Sequence, residues 1–550
     1  MNVIWLNFHP EAPSKGYWCY GWLEEILTTP STGPYRDTFY HCSDVRDLPS
    51  SGSNAVIEEG AIVVIPAEYN AEYVDQINVA LRALPWAVVI LASDERGLFP
   101  VEDLIPVRAL WVMTPHFEKH VYPVGTNFMG EFYPPDARFE LIHGHWHERK
   151  YRAGFSGQIT HQRRHELRDV MTEMSDVYFN GTAGFTQGLS RSEYYQLLLD
   201  SVTAPAPSGP ETLDSFRAFE ALEAGAIPVL DLNCPRTQNG TRYWDAVLGA
   251  DHPLPTVSHW LELEEVIDNL TPAESNRVFA WWQGHKRNIR RRILADVPGY
   301  DPGKVTVLIP TSPIPSHPST SIIDETIRTV QRQHPTAEIL IMIDGIRPEQ
   351  EEYRERYAEY TRQILYASNF VWHNVTPVLF DTHHHQANMT RATLDLVDTP
   401  MVLFVEHDTP LVEDRPFQWD EIYGLIEGNI IDVMRFHYSG HVHEDHEYLF
   451  DDKIPVNLDG VWLRRTRQWS QRPHLASAEY YRRILRHYFP LDNNTMIEDR
   501  MHSMAKVHPE VNRLALYCPR DPDGHIVRSY HLDGRGIDPK YEMHFGSVDE

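Results

Sequence analysis

Met401-Val-Leu-Phe-Val-Glu406-His-Asp408 is an apolar run that ends in two carboxylates set two positions apart. A run with no polar alternation reads as a strand covered on both faces, the pattern of a parallel sheet. In open α/β sheets ligands bind beyond the carboxyl ends of the strands. Glu406 and Asp408 stand there, where the chain turns, and both side chains can approach one hard cation. Mg2+ or Mn2+ prefers such oxygen ligands and shares them with substrate phosphates. A solvated acidic turn has the same sequence, so the neighbouring segments have to decide.

Working outward, Val305–Ile309 and Glu338–Ile343 are further apolar strands, the second running into Asp344 and Gly345. Helical periodicity covers Ser321–Gln333, Tyr353–Ala367 and Gln386–Leu396. This series begins after Asp296–Lys304 (DVPGYDPGK), whose Pro, Gly and Asp content reads as a linker. Upstream, Val3–Phe8, Ala61–Pro66, Ala87–Ala92 and Ala109–Met113 are short apolar strands, with a helix over Ala71–Leu84. A second alternation starts near residue 147, with strands at Asp176–Phe179 and Ile227–Leu230 and helices at Ser192–Leu199 and Leu213–Ala224. The expectation is an α/β chain in three parts: residues 1–146, 147–300 and 301–550.

Composition narrows the function. The chain has 550 residues and a formal net charge of −29, which disfavours a broad nucleic-acid footprint. Cys19, Cys42, Cys234 and Cys518 are scattered without CxxC spacing, against a zinc ribbon or a disulfide scaffold. No apolar stretch is long enough to span a bilayer. The opening residues lack a basic segment and a small-residue cleavage site, so a cytoplasmic location with no membrane partner is expected.

The order VTVLIPT at Val305–Thr311, IMID at Ile341–Asp344 and EHD at Glu406–Asp408 resembles the GT-A fold of nucleotide-sugar glycosyltransferases, closest to the large family that opens on a V-x-I-P-T strand. That resemblance implies that Thr311 and Asp344 hold the nucleoside. Glu406 and Asp408 then hold Mn2+ or Mg2+ with the diphosphate, Glu replacing the first Asp of the usual D-x-D. Asn388 and Arg391, on one face of a helix after the His383–His385 triplet, fall where the family places polar and basic donor contacts. Ile497-Glu498-Asp499 resembles the x-E-D element of inverting members, with Asp499 as the base for the acceptor hydroxyl and Glu498 beside it. First-turn acids also complement a helix dipole without any chemistry. A late histidine often completes the metal site in this fold; His531 is one candidate, and His441, His443 and His446 are others. Trp469, in a basic and aromatic stretch, suits stacking on a sugar or core packing equally.

The middle third carries Ser215-Phe-Arg217-Ala-Phe-Glu220-Ala-Leu-Glu-Ala-Gly225-Ala-Ile-Pro-Val. A loop, a helix start with free amides, a glycine stop and a buried strand suit a diphosphate. The pattern resembles the second lobe of exostosin-like GT-B glycosyltransferases, which implies that Ser215, Arg217 and Glu220 bind donor. Gly154–Gly157 and Arg163 also fit that lobe's opening. The resulting expectation is a GT-B-like pair of Rossmann-like lobes followed by a GT-A domain. Its function would be metal-dependent, inverting transfer from a nucleotide-sugar donor to a hydroxyl acceptor: a glycan, a protein such as a phage structural protein, or a small molecule. The competing readings are a nucleotidyltransferase, or a catalytically decayed protein that only binds glycans or nucleotide sugars. The chain has neither G-x-G-x-x-G nor G-x-x-x-x-G-K-[ST].

Overall fold

The computed structural model describes residues 2–10, 23, 27, 39–42, 61–84, 86–130, 149–184, 187–213, 215–236, 239–491 and 494–532. The expected 146/147 boundary, Cys19 and Asp214 lie outside them. The chain divides into two compact units, Met1–Asp301 and Pro302–Glu550. Among the described residues no helix is long and apolar enough to cross a membrane.

The first unit holds two sheets. Strands β1 (Asn2–Leu6), β2 (Phe39–Cys42), β3 (Ala61–Pro66), β4 (Val88–Ala92), β5 (Ala109–Val112) and β6 (Asn127–Phe128) lie in the order β2-β1-β3-β4-β5-β6, every pairing parallel. Strands β7 (Tyr151–Gln158), β8 (Val177–Thr182), β9 (Ser201–Ala206), β10 (Ile227–Asp231) and β11 (Thr256–Val257) form the second, in the order β11-β10-β9-β7-β8, again parallel. Helices α1 (Val74–Arg82), α2 (Gln162–Met171), α3 (Arg191–Leu199), α4 (Phe216–Glu223), α5 (Gly240–Leu248), α6 (Leu263–Asp268) and α7 (Pro272–Ala295) connect and cover them. Both sheets are thus doubly wound, α/β and Rossmann-like. The strands are buried on both faces, as in AIVVIP at β3 and IPVLD at β10, because helices cover each side. One hydrophobic cluster runs from Val3 and Trp5 through Trp111 and Phe219 to Trp282 and Ile293.

The second unit is built on a nine-stranded sheet. Its strands are β12 (Val305–Thr311), β13 (Glu338–Ile343), β14 (Val375–Leu379), β15 (Met401–Phe404), β16 (Val433–Arg435), β17 (Val456–Leu458), β18 (Val461–Thr466), β19 (His474–Ser477) and β20 (Leu514–Tyr517), in the order β14-β13-β12-β15-β19-β16-β20-β18-β17. Strands β12 to β15 are parallel and read as buried apolar runs. Strand β19 lies antiparallel between β15 and β16. The helices are α8 (Ser321–Gln333), α9 (Arg354–Phe370), α10 (His385–Leu394), α11 (Trp419–Glu427), α12 (Ala478–Tyr488) and α13 (Ile497–Val507). Helix α12 is strongly amphipathic and buries Tyr480, Tyr481, Ile484 and Leu485 in a core shared with Leu308, Leu340 and Phe404.

Candidate functional site

In the second unit the strand order reverses between β12 and β15, which makes a crevice at their carboxyl ends. Glu406 and Asp408 emerge there from β15. Asp408 is tied to the far end of the chain: Leu532 N–H donates to its backbone oxygen at 2.8 Å and Tyr530 N–H to that of Pro410 at 3.1 Å. This return segment delivers His531, whose Nε2 lies 3.3 Å from Asp408 Oδ2. Burial pushes the Asp408 carboxyl up, but the His407 and His531 rings oppose it and leave it below its ordinary value. His443 and His446 sit instead around an exposed 3-10 turn, and His441 packs against His525 with ring centroids 4.9 Å apart.

Glu406 behaves in the opposite way. Burial pushes its carboxyl up to about 8, with the Asp408 and Glu498 charges adding and Arg472 and the Gln386 amide opposing. Gln386, in the first turn of α10, donates from Nε2 to Glu406 Oε1 at 3.4 Å and accepts the Ile497 N–H at 3.0 Å. One side chain therefore couples the acidic strand end to the N-terminus of α13. Glu498, in that first turn, accepts the backbone N–H of Gln471 at 3.0 Å. Asp499 beside it is exposed and makes no hydrogen bond among the described residues.

Asp344, at the end of β13, is buried. Its oxygens accept N–H groups from Gly345 at 2.9 Å, His384 at 2.7 Å and His385 at 3.1 Å, and His383 Nδ1 lies 2.8 Å away. The histidine triplet is thus a loop wrapped on one carboxylate, which starts α10. Gly345 makes room for it, since a Cβ there would overlap the backbone of Thr382 and His383. The other expected donor contacts face inward. Thr311 is 1% exposed and its hydroxyl is 2.9 Å from that of Tyr360, so its side chain serves the sheet–helix layer rather than the crevice. Arg391 donates to the Leu485 carbonyl at 2.9 Å, to that of Phe489 and to the Asn388 side chain, which satisfies the end of α12. Asn388 in turn donates to Asn494 Oδ1 at 2.9 Å. Both residues are occupied with packing. Trp469 is likewise core, among Tyr480, Tyr481 and His474.

Among the described residues no group of three or more His, Cys, Asp and Glu is spaced to hold a metal by protein atoms alone. Glu406 and Asp408 nevertheless suit Mg2+ or Mn2+, which keeps waters and shares phosphate oxygens while using one or two carboxylates. Glu406, held by a single long hydrogen bond, has ligand capacity to spare.

The first unit brings Ser215, Arg217 and Glu220 together at the switch point between β7 and β9. Ser215 stands at the N-cap position of α4, and its buried Oγ has no hydrogen-bond partner among the described residues. The Arg217 guanidinium donates to Ser156 O at 3.1 Å and lies 5.0 Å over Phe155. It passes through the space left by Gly157, where a Cβ would meet it. Burial raises the Glu220 carboxyl, with Arg217 and the nearby Tyr194 hydroxyl opposing. Sequence reading missed three neighbours. Arg164 donates to Ser208 O at 3.2 Å and Gln158 O at 3.1 Å, and burial with the Arg217 charge brings it down to about 9. His161, whose Nε2 is 3.0 Å from the same Ser208 O, is lowered to about 4 by burial and by Arg164. The Ser208 hydroxyl is buried with no hydrogen-bond partner among the described residues. The signal for Arg164 was present in the run Gln162-Arg163-Arg164. Arg163 itself pairs internally with Asp231, Nη2 to Oδ1 at 2.6 Å.

No protein-family model matches the chain. No curated protein matches it either. Among solved structures it is similar to S. aureus TarS, at 14% identity and TM-score 0.27, over 43% of this chain and 37% of that one. A shorter TarS form, residues 1-349 in complex with UDP-GlcNAc, is similar at 15% identity and TM-score 0.26, over 42% of this chain and 58% of that one. UDP-glucose pyrophosphorylase complexed with UDP-glucose is similar at 12% identity and TM-score 0.26, over 39% of this chain and 90% of that one. The chain spans less than two thirds of both TarS structures. At such scores these likenesses carry no argument, and function rests on the residues of the site.

Proposed function

We propose that the second unit is a glycosyltransferase that moves a sugar from a nucleotide-sugar donor to a hydroxyl acceptor, with inversion and with Mn2+ or Mg2+. The observation that carries this is the Gln386 relay between Glu406 and the Ile497 N–H. It holds two sources of carboxylate, strand end and helix start, at one crevice on the switch point. Glu406 and Asp408 would hold the cation, with His531 orienting Asp408. When bound, the cation would offset the charge of the departing diphosphate. Asp344 fixes the His383–His385 loop at the nucleoside side. Asp499, whose exposed side chain makes no hydrogen bond among the described residues, takes the acceptor proton. Glu498 positions the Gln471 backbone. In the first unit Ser215, Arg217, Glu220 and Arg164 form a second donor-binding lobe, where the α4 N-terminus and two guanidinium groups suit a diphosphate.

The test is donor hydrolysis and transfer by purified protein with and without Mn2+. Release of nucleoside diphosphate that stops on chelation supports the reading. Release of pyrophosphate points to nucleotidyl transfer, and binding without turnover to a decayed enzyme.

A further inference from the structure

Strand β19 runs opposite to β15, so it brings to the crevice the residues that precede it. Phe404 pairs with His474, and two further antiparallel steps in that register set Arg472 opposite Glu406. On the other side Arg435 pairs with His474, and Phe436 N–H donates to Pro473 O at 2.9 Å. Arg435, Gln471 and Arg472 therefore gather at one end of the sheet. Gln471 is 3% exposed, and both its side-chain oxygen and nitrogen are buried with no hydrogen-bond partner among the described residues. The same holds for Arg435 Nε and Arg472 Nη1. Native proteins seldom leave such groups unsatisfied, and a water, an ion or a ligand ordinarily meets them. Arg435 Nη1 is spent on Gln468 O at 2.9 Å, and Arg472 lies 4.3 Å over the Tyr438 ring. Among the described residues Glu498 acts electrostatically on Arg435, and Arg472 acts on Glu406. Burial, opposed by Glu498 and reinforced by the Arg472 charge, brings Arg435 down to about 10.

We propose, resting on the function above, that Arg435, Arg472 and Gln471 bind an acidic group, a carboxylate or a phosphate, carried by the transferred sugar or by the acceptor. The sheet order sets this group apart from the nucleoside side. Asp344 marks the nucleoside side on β13, Glu406 and Asp408 on β15 take the diphosphate, and β19 and β16 lie beyond them. What reaches the arginine pair is the sugar end of the donor or the incoming acceptor. A planar guanidinium matches an oxyanion, and a carboxamide with donor and acceptor both open matches a neighbouring hydroxyl.

Calorimetry on the full chain with Mn2+ tests this in two arms. One arm compares UDP-glucose with UDP-glucuronic acid and GDP-mannose with GDP-mannuronic acid. The other compares glucose with glucose 6-phosphate in the presence of UDP or GDP. The acidic member of one arm should bind about tenfold tighter, and that arm names the source of the acid. Arg472→Gln should bring the acidic member to the affinity of the neutral one, and Arg472→Lys should restore only part of the difference. Because Arg472 is half-buried, thermal melting of both variants checks that they fold. Equal binding of acidic and neutral members in both arms, while nucleotide sugars still bind, overturns this inference and leaves the function standing. A preference that survives Arg472→Gln also overturns it. Failure of every nucleotide sugar to bind overturns both.

Discussion

Gln386 Nε2 lies 3.4 Å from Glu406 Oε1, and among the described residues no other side chain hydrogen-bonds that carboxyl. Because the same amide accepts the Ile497 N–H, Gln386 is a positioning residue for both acidic elements. Gln386→Leu should leave a buried N–H unsatisfied and cost about 1–3 kcal/mol of stability, read by chemical denaturation. It should also lower kcat more than it raises KM, since it displaces the strand end and the helix start relative to each other. A variant that melts early yet turns over normally would make Gln386 purely structural.

The Glu406 shift fixes a pH dependence. Its carboxyl titrates near 8 in the folded chain against 4.5 in the ordinary state. The folded protein binds more protons than the unfolded one between these values, so the Glu406 contribution to stability falls as pH rises through that window and levels off above it. A cation needs the ionised form. Mn2+ binding at pH 7 should therefore release about one proton, and affinity should climb until about pH 8. Titrations in two buffers of different ionisation enthalpy measure this, and Glu406→Gln should abolish the release.

Asp408 and His531 should separate in rank. Asp408→Ala removes a proposed ligand and should lower kcat/KM by about 100-fold or more with saturating Mn2+. His531→Ala leaves the Leu532 N–H bond to the Asp408 backbone in place and should weaken Mn2+ by about tenfold. Equal losses in the two variants would argue that His531 is itself a ligand.

In the first unit Arg163 and Asp231 form a buried pair, with Nη2 to Oδ1 at 2.6 Å and Nε to Oδ2 at 3.1 Å. Arg163→Met strands the Asp231 charge and should cost about 3–5 kcal/mol in denaturation of the full chain. Arg163→Met combined with Asp231→Leu should recover most of that loss. A loss no smaller in the double variant would show that volume, not charge, governs the site.

Much of this was legible in the sequence where local rules decide the outcome. The β15 run and the α8 periodicity read correctly because a buried strand has no polar alternation and an amphipathic helix has a 3.6-residue stripe. What sequence could not tell was direction. Arg391 has the right spacing for a ligand contact, yet the carbonyls at the end of α12 lie on its side of the helix. Thr311 ends its strand facing Tyr360 because alternation sends neighbouring side chains to opposite faces. His531 was one of several histidines in the sequence, and chain return along residues 408–412 sets it beside Asp408. Gln386, Gln471 and Arg472 carried no motif, since their roles come from long-range pairing.

The reversed strand β19 has a bearing on how such an enzyme can diversify. Parallel strands offer the crevice the loops that follow them, and on the proposed function those loops serve nucleotide and cation. An antiparallel neighbour offers instead the connection leading into it, here Arg467–Pro473, which anchors no helix. Because that connection also carries Trp469 into the core and Gln471 onto Glu498, a change confined to Arg472 is the one that, on the proposed function, would shift the preference of the acidic-group site while the framework stayed as it was.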